Sequence, residues 1–211
     1  MAALALVMRA PEIFRERSPY SASGTSGKRM RYPTRTMTSR KQVNGVDQMA
    51  SEKKLDELFH HTLQDIYYAE KQILKAIPKM MAGAKSPELK KAFELHKDQT
   101  EVHVTRLEEV FKIIGEPAKG VKCDAIEGIL KEGEGVVADF GKTVSGDAAI
   151  IAAAQAVEHY EITRYGTLRR WAMVLGLTEA QALFEQTLAE ESTTNADLTS
   201  LADSYANKLA A

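Results

Sequence analysis

The chain has 211 residues, of which 44% are hydrophobic and 27% charged, with 28 Lys and Arg against 29 Asp and Glu and a single cysteine. That length leaves room for one sizeable core, and the lone Cys123 excludes both a disulfide framework and a thiolate metal site. No apolar run approaches the roughly 18–20 residues of a membrane helix, so neither a spanning segment nor a membrane partner is expected.

The net charge of −1 is a cancellation. Residues 1–48 hold nine basic and three acidic residues, a net of +6, and the remainder carries 19 basic and 26 acidic, a net of −7. The first segment is rich in Arg, Ser, Thr and Gly, is broken by Pro11, Pro19 and Pro33, and has no sustained periodicity, so it is expected to be a disordered basic leader. Three origins remain open: an arm for nucleic acid or a membrane surface, an organellar transit peptide, or translated upstream sequence with Met37 or Met49 as the natural start. Contact with nucleic acid is expected only through this leader.

From residue 49 to 211 the chain reads as a bundle. Ser51 is placed to cap a first helix reaching about Ala82, with Phe59, Leu63, Ile66, Ile73 and Ile77 in its apolar stripe and Pro78 bending its last turns. Ser86-Pro87-Glu88 combines an N-cap, a first-turn proline and a favourable acid, and starts a second helix that stops at Gly115 before Pro117. The stretch from Glu116 to Gly146 is glycine-rich with a weakly helical middle around Ala125 to Phe140. Asp147 is expected to cap a third bundle helix running to Gly176, and Thr178 with Gln181 to make a capping box for a fourth that reaches the C-terminus.

The connections decide the architecture. The short links between the first and second and between the third and fourth bundle helices make antiparallel hairpins. A helix of about 27 residues is about 40 Å long, and the intervening connector can travel that length. The second and third bundle helices can therefore lie parallel. The predicted fold is all-α, a ferritin-like four-helix bundle with one long crossover between helices 2 and 3 that contains a short extra helix.

Laying each helix out at 100° per residue shows which polar groups share the apolar stripe. The first helix places Glu70 there, and the second His96, Thr100 and His103 with Gln99 beside them. On the third, Ile151, Ala154, Ile162 and Tyr165 share their face with Gln155 and Glu158, and Glu161 sits at its edge. On the fourth, Phe184, Leu188 and Leu198 share theirs with Glu191 and Asn195. A buried unpaired carboxylate protonates or finds a cation. Several in one core point to shared protons, Arg pairing or a metal, and carboxylates with imidazole suit iron or manganese. Glu158-x-x-Glu161 puts two acids on adjacent turns of one helix, as bridging two ions requires. Asp65, Asp98, Glu101 and Glu190 are expected to point sideways or outward, as solvated or supporting residues, and Tyr67, Tyr160 and Tyr165 either to lie near the site or, the favoured reading, to serve in packing.

The strings LFHHTLQDIYYAEKQILKAIPKM (58–80), AFELHKDQTEVHVTRLEEVF (92–111), AIIAAAQAVEHYEITRYGTLRRWA (149–172) and TLAEESTTNADLTSLA (187–202), with the signatures DxYxAExQ and AAAQxVEHYEIxxYGT, resemble the YciE/YciF stress-protein family, a branch of the ferritin-like superfamily. The resemblance implies a bacterial cytoplasmic stress protein, commonly a homodimer, with a di-metal centre of iron or manganese. Its ligand pattern places Glu70 on the first helix, Glu158 and Glu161 on the third and Glu191 on the fourth. Two departures stand out: Thr194 follows Glu191 where the superfamily has histidine, and His96-x-x-Gln99 replaces Glu-x-x-His on the second helix. The candidate metal set is Glu70, His96, Gln99, His103, Glu158, Glu161 and Glu191. Two functions compete. One is a di-iron oxidoreductase that oxidises Fe(II) or reduces dioxygen or peroxide, with electrons from an external donor because the chain has no cysteine-ligated iron of its own. The other is a non-enzymatic dimeric stress or structural protein with a degenerate site.

Overall fold

Apolar side chains recur every three or four positions from Phe59 to Ile77, so a helix through them turns one continuous stripe inward. In the computed structural model, which describes residues 53–211, that helix is α1, Leu55–Gly83, and it continues past Pro78 with Phe59, Leu63, Ile66, Ile73 and Ile77 all buried. The expected leader over residues 1–48 and the expected cap at Ser51 lie outside the described residues.

The second helix, α2, spans Pro87–Ile113 and starts as its sequence predicts. Ser86 Oγ accepts from the Leu89 N–H at 3.2 Å, and Pro87 occupies a first-turn position whose N–H would otherwise be idle. Gly115 ends the helix at φ 74°, a left-handed conformation that glycine adopts without a Cβ clash. The crossover then runs along α1. Val121 N–H bonds to the Gln64 carbonyl at 3.2 Å, and a Cβ on Gly120 would stand 3.0 Å from the Tyr68 Cβ. The weakly helical middle of the crossover is a full helix, α3, Asp124–Phe140.

Next come α4, Gly146–Val174, and α5, Thr178–Leu201, which passes through one π-helical turn at Ala202–Ala206 into a last turn, α6, Asn207–Ala210. Two expected caps differ from the structure. Asp147 does not cap α4 but lies inside its first turn, and its carboxylate accepts the N–H groups of Lys85 at 2.7 Å and Ser86 at 2.8 Å. A buried acid gains more from those two donors on the α1–α2 connection than from one at its own helix end. Thr178 is likewise the first residue within α5. Leu177 precedes it without a side-chain cap, its carbonyl accepting the Gln181 N–H, because Leu177 packs against the core and starts the helix one residue early.

Cross-helix contacts establish the topology. Tyr67–Glu108 and His60–Phe111 run antiparallel between α1 and α2. Arg106–Thr187 and His103–Glu190 do so between α2 and α5, Gln155–Thr199 and Arg169–Glu185 between α4 and α5, and Gly83–Ile150 and Glu70–Tyr165 between α1 and α4. Each bundle helix is thus antiparallel to both neighbours, α2 and α4 are parallel, and one long crossover joins them. This is the ferritin-like connectivity. The crossover helix α3 packs on the outside against α1 and α4. Ile162 and Leu188, expected in the inward stripes, are only half-buried, and on α4 Val157 and Leu168 take inward positions. Among the described residues no helix is long and apolar enough to cross a membrane.

Candidate metal centre

Midway along the bundle, polar residues interrupt the apolar stripes of all four helices. Glu70 comes from α1, His96 and His103 from α2, Glu158 and Glu161 from α4 and Glu191 from α5, and none is more than 4% exposed. The two histidines are seven residues apart, two turns along one face, and the two α4 glutamates are three apart, one turn. Helical periodicity alone therefore aims these side chains at the bundle axis.

Their donor atoms form two groups with one member in common. His96, Glu158, Glu161 and Glu191 each offer an atom within 4.8 Å of the others, and so do Glu70, His103 and Glu191. In the first group His96 Nε2 lies 3.4 Å from Glu158 Oε1, and His96 Nδ1 lies 4.0 Å from Glu191 Oε2. In the second, His103 Nδ1 lies 3.8 Å from Glu70 Oε1 and 2.9 Å from Glu191 Oε1, the latter without the alignment of a hydrogen bond. Much of this donor set has no hydrogen-bond partner. Glu70 Oε2, Glu158 Oε2, both oxygens of Glu161, both of Glu191 and the Nδ1 atoms of both histidines are all buried and unpaired.

Such a core is electrostatically costly unless something charged or protonated satisfies it. Burial drives the Glu70 carboxyl up to about 8 and, with Glu191 beside it, the Glu158 carboxyl up to about 10. Burial and the neighbouring acids raise Glu161 well above the usual carboxylate range. Burial lowers His96, which keeps its imidazole neutral and its lone pair available. Burial would lower His103 as well, but Glu191, Glu70 and Glu190 outweigh it and lift the group to about 9. Without a cation, Glu70, Glu158 and Glu161 retain their protons at neutral pH.

A ring of supporting residues fixes the cluster from outside. His103 Nε2 donates to Glu190 Oε2 at 2.8 Å. Arg106 clamps that carboxylate with two bonds, at 2.6 and 2.9 Å, and also donates to Thr187 Oγ1 at 3.1 Å. The Arg106 guanidinium holds Glu190 below the usual carboxylate range. A histidine whose far nitrogen is tied to an anchored carboxylate is the usual support of a metal ligand. On the opposite side the buried Tyr165 hydroxyl donates to Glu70 Oε1 and leaves Oε2 free.

These placements revise parts of the sequence reading. Glu161, expected at the stripe edge, is fully buried. Of the two places expected for Tyr165, beside the site or in plain packing, the structure has the first: its hydroxyl donates to Glu70, because position 165 falls one turn beyond Glu161 on the same face of α4. Glu190, expected to point sideways or outward as a solvated or supporting residue, takes the supporting place: it is partly exposed and bonds to His103. Arg106 escaped notice; its signal is the three-residue spacing from His103, which puts both on the face of α2 toward α5. Gln155 and Asn195 bond to each other, Nε2 to Oδ1 at 3.3 Å. Thr100 is buried and bonds back to the His96 carbonyl, and Gln99, included in the candidate metal set, is half-buried. Thr194 Oγ1 donates to the Glu190 carbonyl at 3.1 Å.

Residues 54–211 match the family described as "Domain of unknown function (DUF892)". The chain belongs to this family. Protein YciF of Escherichia coli (strain K12) is 40% identical over 159 residues, which is 75% of this chain and 96% of that protein. The crystal structure of the E. coli stress protein YciF is similar at a TM-score of 0.71 and 39% identity, covering 74% of this chain and 99% of that one. YcfI of Rhodopseudomonas palustris, to which a structural role has been ascribed, is similar at a TM-score of 0.69 and 41% identity over 72% of this chain and 96% of its own. A Xanthomonas campestris protein, 20% identical at a TM-score of 0.59, shares the fold. The YciF-like resemblance carried by DxYxAExQ and AAAQxVEHYEIxxYGT therefore holds for the described bundle.

Proposed function

We infer that this YciF-like protein is a bacterial stress-associated protein whose bundle holds a pair of iron or manganese ions, and that the centre oxidises Fe(II) or reduces dioxygen or peroxide. Glu191 carries this reading: it belongs to both donor groups, and both of its buried oxygens lack a hydrogen-bond partner. Glu70, Glu158, Glu161 and Glu191 bear four negative charges when ionised, which two divalent cations would neutralise. Oxygen and imidazole donors without sulfur suit iron and manganese.

His96, Glu158, Glu161 and Glu191 would hold one ion, and Glu70, His103 and Glu191 the other. When bound, the metals supply electrons and Lewis acidity to a small oxidant. The protein's own part is positional. Glu190 and Arg106 fix the His103 ring, the Tyr165 hydroxyl orients the Glu70 carboxyl, and the surrounding apolar core excludes bulk water. Cys123 is buried and alone, so electrons for repeated turnover would come from an external donor. The resemblance adds a homodimer in the cytoplasm, and exposed Leu95 and Val102, two turns apart on the outer face of α2, offer apolar surface to a partner.

Thr194 favours a second reading, a non-enzymatic structural protein. It stands where the superfamily has a histidine, and its hydroxyl is occupied by the Glu190 carbonyl. Metal analysis of full-length protein produced with iron and manganese supplied separates the two. The metal-centre reading expects close to two ions per chain, lost in Glu191→Gln, with oxidant-dependent Fe(II) oxidation. Protein that takes up neither metal would leave the structural reading standing.

A further inference from the structure

A cavity of about 30 Å³ opens on the His96–Glu158 edge of the cluster. Away from that edge its walls are carbon, with Ile73 from α1, Phe93 from α2, Leu130 from α3 and Ala154 from α4 among them. A second space of about 30 Å³ adjoins it and shares Ala76, Met80, Leu130 and Val157 with the first. That second space reaches Lys79 and Glu134, which also border an open surface groove of about 300 Å³ between α1 and α3. Ala76 and Leu130 line all three, so the spaces are neighbours lying in series between the surface groove and the cluster.

The construction of this series is specific. Gly133 lets α3 lie close on α4, since a Cβ there would stand only 3.2 Å from the Ala153 Cβ, and α3 thereby roofs the inner spaces. Across the mouth, Lys79 Nζ lies 2.9 Å from Glu134 Oε1, with the side chains 72% and 58% exposed. An ion pair so exposed contributes little and opens easily. Voids beside a core cost stability, so packing alone would favour larger residues at Ala76 and Ala154.

The carbon walls select the occupant. A volume of about 30 Å³ exceeds the roughly 10–15 Å³ that one water-sized molecule needs. Water and peroxide both require several hydrogen-bond partners, which this cavity has only along its His96–Glu158 edge, whereas dry apolar cavities accept apolar guests such as xenon. We propose that the series is a dioxygen passage, in which the inner cavity binds the gas and presents it to the His96–Glu158 edge. Delivery to a metal rests on the function inferred above; binding of an apolar gas in the cavity does not.

Xenon serves as the probe for the full-length protein. Xenon-pressurised crystals, or methyl NMR under xenon, should show an atom against Ile73, Phe93 and Leu130. Ala154→Val, which fills the inner cavity, should lose that site. With metal content unchanged, it should also slow dioxygen-dependent Fe(II) oxidation severalfold. Ala76→Leu, at the shared wall, should slow the same oxidation and provides a second variant if Ala154→Val folds poorly. Absence of xenon from the wild-type cavity would overturn the proposal, as would wild-type oxidation rates in a variant that excludes xenon. Protein that binds xenon there but no metal would sustain the gas cavity and remove the metal-centre reading, so the two failures are distinct.

Discussion

His103 Nε2 lies 2.8 Å from Glu190 Oε2, and this bond turns the ring's other nitrogen toward Glu191 and Glu70. Because Arg106 keeps Glu190 ionised, the nitrogen facing Glu190 carries a proton and Nδ1 is the one left for a cation. Removing the anchor should loosen the ring without unfolding the bundle. Glu190→Gln is expected to weaken metal binding by about 10–100-fold, the usual effect of losing such a support, with helical content unchanged. Competitive metal titration alongside circular dichroism checks this, and unaltered affinity would show that the bond has no such role.

Glu191 and Glu70 should respond differently to the same chemical change. Glu191→Gln removes charge from both donor groups and should lower the metal content of the whole centre. Glu70→Gln touches only the group that contains His103 and should leave about one ion per chain, an order-of-magnitude expectation from the separate donor sets. Elemental analysis of the two purified variants reads the difference directly.

The pH dependence follows from the protons that the cluster retains. Glu70 rises from 4.5 to about 8, Glu158 from 4.5 to about 10 and His103 from 6.5 to about 9 in the folded protein. Each folded pKa lies above its unfolded value, so the metal-free protein holds more protons than the unfolded chain across that window. The stability these groups contribute is present at the acidic end and is lost as pH rises through about 8 to 10. A bound cation must displace the same protons, so affinity should increase with pH. The gap in Tm between metal-loaded and metal-free protein should therefore widen from about pH 6 to about pH 9; a gap that narrows would contradict the assignment.

Asp147 offers a stability test away from the cluster. Its carboxylate accepts two backbone N–H groups on the α1–α2 connection and is buried, whereas Ser86 accepts one in capping α2. Ser86→Ala should cost about 1 kcal/mol, as caps usually do. Asp147→Ala should cost more, about 2–4 kcal/mol, because it leaves the buried Ser86 N–H and the partly buried Lys85 N–H without their acceptor. Urea titration of both variants ranks them.

Most of the architecture could be read because apolar periodicity and punctuation agree: the stripe from Phe59 to Ile77, the Ser86-Pro87 start, and the left-handed Gly115 and Gly176. The inward aim of Glu70, His96, His103, Glu158 and Glu191 was legible for the same reason, since position on a helical wheel is local information. What escaped depends on a neighbouring helix. Asp147 serves donors more than sixty residues away, Glu190 is intercepted by His103 and Arg106, and Tyr165 finds Glu70 across the α1–α4 interface. None of those partners can be inferred from spacing within one element. Thr178 was misread for a smaller reason: the capping-box spelling was present, but Leu177 gained more by packing on the core.

The cluster is divided unequally between the two hairpins. The α1–α2 hairpin brings both imidazoles and a single acid, Glu70, while the α4–α5 hairpin brings Glu158, Glu161 and Glu191. Each half alone is chemically lopsided, one able to carry positive charge and the other only negative or neutral. Docking of the hairpins is then a neutralisation as well as a burial. A pairing of two like hairpins, as in a swapped assembly that joined α4–α5 to its own copy, would crowd six carboxyls into one core and be rejected by charge before its packing could be tried.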